Sequence, residues 1–103
     1  MSEYIEDVRR YDAAADPDVV NKIVKHLGIA LRNRDSSLVA ASDADEIERV
    51  RKSWVEKKLG ITDADKGAAA IKSVGELMKG DRNKQRVTFY YLTAKELGKL
   101  EAL

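Results

Sequence analysis

Apolar residues return every three or four positions along most of the chain, and five stripes of this helical period stand out. Tyr4, Val8 and Tyr11 form the first. Val20, Ile23, Val24, Leu27 and Leu31 form the second, whose reach past Gly28 leaves the end of that helix open. Ile47, Val50 and Trp54, with Leu59 beyond them, make the third. Ala64, Ala68, Ile71, Val74 or Gly75, and Met78 make the fourth. Val87, Tyr90 or Tyr91, Ala94 and Leu97 make the fifth.

The punctuation agrees with the stripes. Lys25-His26-Leu27-Gly28, Lys57-Lys58-Leu59-Gly60 and Lys95-Glu96-Leu97-Gly98 share one pattern, a last turn carrying basic residues, then leucine, then glycine. That pattern predicts a glycine at positive φ closing each helix, and Gly80 after Met78-Lys79 is expected to close a fourth. Starts are marked as well. Ser42-Asp43-Ala44-Asp45 and Thr62-Asp63-Ala64-Asp65 place an acid three residues after a hydroxyl, the spacing of a capping box. Asp16 before Pro17 reads as an N-cap with proline at the first helical position. Ser2 and Asp81 are in place to cap the first and last helices.

Two stretches fit less well. Val87-Thr88-Phe89-Tyr90-Tyr91-Leu92-Thr93 is rich in strand formers, but no other segment reads as a strand to pair with it. It is therefore assigned to helix, and no stable sheet is expected. Residues 34–41 read as a loop with one short turn of helix.

Composition narrows the class. The chain has 103 residues, too few for two self-sufficient cores. Leu, Ile, Val and Phe supply 25 of them, more than disordered chains carry, so a folded domain is expected. The absence of cysteine excludes disulfides, thiol nucleophiles and thiolate metal sites, and fits a reducing compartment. An acidic start without a basic and apolar leader, and no apolar run near the ~20 residues of a membrane span, point to the cytoplasm.

Charge alternates in blocks: −4 over residues 1–18, +4 over 19–34, −5 over 35–48 and +4 over 49–60. Acidic blocks fall where helices begin and basic blocks where they end, the distribution that helix dipoles favour. The alternation is thus read as structural rather than as a set of nucleic-acid patches.

Candidate chemistry is sparse. The Asp-x-Asp pairs at 16–18, 43–45 and 63–65 resemble divalent-metal motifs, but their positions at helix starts assign them to capping. Gly75 to Gly80 has the glycine spacing of a phosphate loop, yet Asp81-Arg82 follows where Lys-Ser or Lys-Thr is needed. His26, the single histidine, has no acid near it in sequence. Leu59-Gly60-Ile61-Thr62 resembles the turn of a helix-turn-helix, but Asp63 and Asp65 would then meet DNA phosphates with negative charge. One lead survives. Arg82, Lys84 and Arg86 run into Phe89, Tyr90 and Tyr91, and bases beside aromatics are the ingredients of a surface that tracks phosphates and stacks bases.

Several segments together resemble a small bacterial family, domain of unknown function 2853. They are Tyr4-Ile5-Glu6 through Tyr11, Lys25 through Leu31, Arg51 through Trp54 to Gly60, and Arg82-Asn83-Lys84 through Val87 to Tyr91. The resemblance spans essentially the whole chain. It implies a short bacterial protein and brings no activity, cofactor or site residues with it.

The expectation is a single compact all-α domain over residues 1–103, of about five short amphipathic helices. The leading functional expectation is a non-enzymatic cytoplasmic binding or regulatory module. It would act through contacts with a protein partner or with a second copy of itself. The alternative is weak, sequence-independent nucleic-acid binding through residues 79–91, with Arg82, Lys84, Arg86, Tyr90 and Tyr91 as the surface. No catalytic, cofactor-binding or metal residue is assigned, and no membrane contact.

Overall fold

The structure, a computed structural model, describes residues 3–32, 37–40, 42–81 and 84–100. Helix α1 (Glu3–Arg9) leads by a tight turn to α2 (Pro17–Leu27) and a short 3-10 turn (Gly28–Leu31). Strand β1 (Leu38–Val39) precedes α3 (Ala44–Val50), which continues without a break into a π-helical segment (Arg51–Lys58). Helix α4 (Ala64–Leu77), strand β2 (Lys84–Gln85) and α5 (Arg86–Glu96) complete the order.

Helix α5 is the axis of the molecule. It touches α1, α2, α4, the π-helical segment and both strands, and Val87 through Ala94 are buried without exception. This explains the strand-like composition of that run. A helix enclosed on every side needs no polar face, so its apolar and β-branched residues lose the period of three to four. Buried Thr93 satisfies its hydroxyl on the Phe89 carbonyl (2.7 Å), and Thr88 donates to the Asp7 carboxylate.

Trp54 anchors the other side of the core. It is fully buried, its indole N–H donates to the Tyr90 carbonyl at 3.0 Å, and its ring lies 4.7 Å from that of Tyr90. The π-helical turn, in which the Leu59 N–H reaches the Trp54 carbonyl (2.9 Å), presents Trp54 and Val55 to the core side by side. Helix α4 crosses this segment at Gly67, where a Cβ would stand 3.0 Å from the Val55 side chain.

Three glycines close helices or turns at positive φ, as the leucine-glycine pattern predicts: Gly28 (43°), Gly60 (74°) and Gly98 (68°). Gly28 ends α2 rather than lying within it. Gly80 differs, having no positive φ; α4 ends at Met78, whose N–H bonds back to the Val74 carbonyl.

The starts need a one-residue correction. The N-caps are Asp43 and Asp63, not Ser42 and Thr62. Each aspartate carboxylate accepts from the N–H groups two and three residues on, Asp45 and Glu46 in one case, Asp65 and Lys66 in the other. Asp16 caps α2 as expected, with Pro17 first in the helix. Asp81 does not cap α5, whose N-cap is Gln85, and its side chain turns instead to Arg10 and Tyr11 beyond α1; Ser2 lies outside the described residues.

The expectation of no sheet is also corrected. Leu38 and Val39 pair antiparallel with Gln85 and Lys84, a two-residue ladder. It extends into α5, since the Arg86 N–H donates to the Ser37 carbonyl at 2.8 Å and so satisfies a helix-start donor that no side chain caps. Of the segment expected to be loop with a helical turn, residues 37–40 form this strand and its flanks; residues 34–36 and 41 lie outside the described residues. No described helix is long and apolar enough to cross a membrane.

Candidate functional site

The basic and aromatic residues singled out from the sequence do not assemble into an exposed stacking surface. Tyr90 and Tyr91 are buried at 4% and 3% exposure, and Phe89 entirely, because α5 is the central helix. The Tyr91 hydroxyl donates to Asp12 at 2.7 Å, and burial followed by this bond raises its pKa. Arg86 is withdrawn too. Its guanidinium pairs with Glu46 at 2.5 Å and reaches the Leu38 carbonyl and the Tyr90 hydroxyl, tying α3 and β1 to α5. Burial opposes the Arg86 charge, but the bonds to Glu46 and Tyr90 outweigh it and the pKa is raised. This pair accounts for a base at a helix start, where the dipole disfavours one. Arg82 lies outside the described residues. Of the five, Lys84 keeps an outward role, with its ammonium on the Asp81 carbonyl (2.9 Å) and its side chain in the wall of a groove.

A second polar cluster joins the first and last helices. Asp81 accepts from the Tyr11 hydroxyl and from Arg10, which also holds Asp7. The Tyr11 bond first, then Arg10, lowers the Asp81 pKa, while burial and the bond to Asp81 push Tyr11 up to about 12. Asp12 is likewise lowered, chiefly by the Tyr91 bond and then by Lys95 at 3.3 Å. Each carboxylate here is committed to holding α1 and its following turn against α5 and its approach. Nucleophilic or acid–base work by them would require breaking those bonds.

His26, at the last turn of α2, lies 5.1 Å from the Trp54 ring, tilted by 50°. Partial burial, then the Lys58 charge, lowers its pKa. Among the described residues no group of three His, Asp or Glu side chains is placed to hold a metal ion.

A concavity lies elsewhere, in an open groove of about 550 Å³ between the outer face of α4, the β ladder and the start of α3. Its floor is aliphatic, from Val39, Ile47 and Ile71, and Ala68 and Gly75 keep the α4 side low. Lys72, Lys79 and Lys84 stand around it with a single acid, Glu76. Lys72 and Lys79, like most exposed lysines of the chain, have no carboxylate within ion-pair distance among the described residues, so their charge is open to a partner.

The signal for this groove was present in the sequence but pointed inward. The sequence sets Ala64, Ala68, Ile71, Val74 or Gly75, and Met78 in one apolar stripe, and of these Ile71, Val74 and Met78 are buried. In the structure the core face of α4 is Gly67, Ala70, Ile71, Val74 and Met78, and Ala64 and Ala68 are exposed. Five small residues, Gly67 to Ala70 and Gly75, blur the period, since alanine and glycine occur on either face. Val39 and Lys84 join the groove through a ladder that two-residue strands do not announce.

No curated protein is significantly similar to the chain. A family model matches residues 3–101, nearly the full length, in agreement with the resemblance seen along the sequence. The chain therefore belongs to the family described as protein of unknown function, DUF2853.

Proposed function

We propose that the protein is a non-enzymatic binding module acting through protein contacts, and that the groove beside α4 is its contact surface. The observation that carries this reading is the groove itself: about 550 Å³, within the ~300–1,000 Å³ range of binding pockets, with an aliphatic floor and a polar rim. Its openness to one side suits a side chain or segment of a partner rather than an engulfed small molecule. The fate of the carboxylates supports the non-enzymatic part. Asp16, Asp43 and Asp63 cap helices, and Asp7, Asp12 and Asp81 fasten α1 and the turn after it. Nucleic-acid binding through residues 79–91 is the weaker reading, because the rings it would stack on are buried.

A photo-crosslinking residue at Ala68, in the groove, tests this against one at Lys57, exposed on the π-helical segment. Protein adducts that form in lysate from Ala68 and not from Lys57, and survive nuclease, are the expected outcome. Equal labelling from both positions, or none from Ala68, would count against the groove as the contact surface.

A further inference from the structure

We infer that the occupant of the groove is an acidic segment of another protein, with an aliphatic side chain seated between Ile47 and the exposed Ala68 and carboxylates flanking it. The inference rests on the groove being the contact surface and adds the chemistry of what fills it. Charge complementarity is the first argument. Lys72, Lys79 and Lys84 surround the floor against one acid, and Lys72 and Lys79 are unpaired among the described residues. Placement sharpens it. Lys72 lies on α4 and Lys79 in the turn that follows it, and Glu76 stands between them in sequence. A carboxylate brought to the centre would meet Glu76, so the centre of the segment is apolar and its acids lie outward.

The floor argues against nucleic acid. It is wholly aliphatic, and single-stranded bases are held by aromatic platforms that this groove does not have. A second copy of the chain is disfavoured by symmetry. A two-fold contact would face the patch with its own copy, three lysines and one glutamate against the same set, so that like charge meets like charge. A partner with acids in place of those lysines meets no such opposition.

Selection from a peptide-display library on the intact protein tests the inference, alongside Ala68→Trp, which fills the groove, and a Lys72→Glu, Lys79→Glu double variant. All three substituted positions are exposed, and circular dichroism checks that each variant is folded. The expected result is enrichment of peptides with an aliphatic residue flanked by Asp or Glu, lost on Ala68→Trp. The selected peptides should bind the charge-reversed variant about tenfold more weakly or worse, as two reversed rim pairs imply, and their Glu→Lys versions should recover it. Peptides that need the groove but carry no acidic bias would overturn the inference and leave the groove as a contact surface. No peptide sensitive to Ala68→Trp would overturn both. Retention of single-stranded RNA at 0.15 M salt, or a dimer that Ala68→Trp dissolves, would equally assign the groove to an occupant other than the one inferred.

Discussion

Moving a helix cap by one residue turns a sequence motif into a measurable difference between neighbours. At the start of α4 the Asp63 carboxylate accepts from the Asp65 N–H at 3.0 Å and the Lys66 N–H at 3.2 Å, and both Asp63 and Thr62 are exposed. Asp63→Ala removes the acceptor and the charge together. Losing the cap costs ~0.5–2 kcal/mol, and losing a negative charge at the positive end of the dipole costs ~0.3–1 kcal/mol. The two overlap, so a total of about 1–2 kcal/mol is expected. Asp63→Asn keeps the acceptor and should lose only the charge contribution. Thr62→Ala removes a hydroxyl that bonds to no α4 donor and should stay within ~0.5 kcal/mol of wild type. Urea denaturation at neutral pH measures all three, and each kcal/mol corresponds to roughly 4–8 °C in a domain of this size. A Thr62→Ala loss equal to or larger than that of Asp63→Ala would refute the assignment and restore the hydroxyl as the cap.

Gly60→Ala should destabilise by about 1 kcal/mol from backbone strain alone, because φ is 74° and no neighbour lies within 4 Å of the new methyl, whereas Gly80→Ala should be neutral or stabilising; thermal melts of the pair separate the two. Glu46→Ala removes one charged partner of the partly buried Arg86, which keeps its bonds to the Leu38 carbonyl and the Tyr90 hydroxyl, and should cost about 1.5–3 kcal/mol; a loss below ~1 kcal/mol by chemical denaturation would show that water replaces Glu46 readily. Asp12 and Asp81 have lowered pKa values, so the stability they contribute is complete above the unfolded carboxylate pKa of ~3.9 and is lost as pH falls through their folded values; Asp12→Asn should flatten the acid limb of a stability–pH curve. Tyr11 is raised to about 12, so its contribution is complete below the unfolded pKa of ~10 and disappears between there and 12, and Tyr11→Phe should reduce the alkaline fall measured by melting temperature.

Local signals carried most of the fold. Glycine after leucine marked the ends at Gly28, Gly60 and Gly98, because positive φ is a one-residue property written in one residue. Proline after Asp16 marked a start for the same reason. Capping was legible to within one position: serine or threonine and aspartate stand side by side at 42–43 and 62–63, and either can accept from the first turn, so spacing alone does not choose. What escaped was non-local. The pairing of Leu38-Val39 with Lys84-Gln85 joins residues more than forty positions apart, and two-residue strands carry no alternation to read. The groove escaped with it, since β1, α3 and α4 meet there only in three dimensions. The fate of Arg86, Tyr90 and Tyr91 followed from α5 being enclosed on all sides, a property of the assembly rather than of the helix.

The bonds that fasten α1 span most of the chain: Asp7 to Thr88, Tyr11 to Asp81 and Asp12 to Tyr91 lie 81, 70 and 79 residues apart. During synthesis this first helix waits for a partner made nearly last. Seven residues are too few to hold a helix in water, so until α5 is complete α1, with its apolar Ile5 and Val8, has α2 beside it but lacks the helix it packs against most. Folding of this domain on the ribosome is therefore a late event, in which the beginning of the chain is recruited by its end, and a ribosome paused before residue 86 should carry a nascent chain that chaperones still recognise.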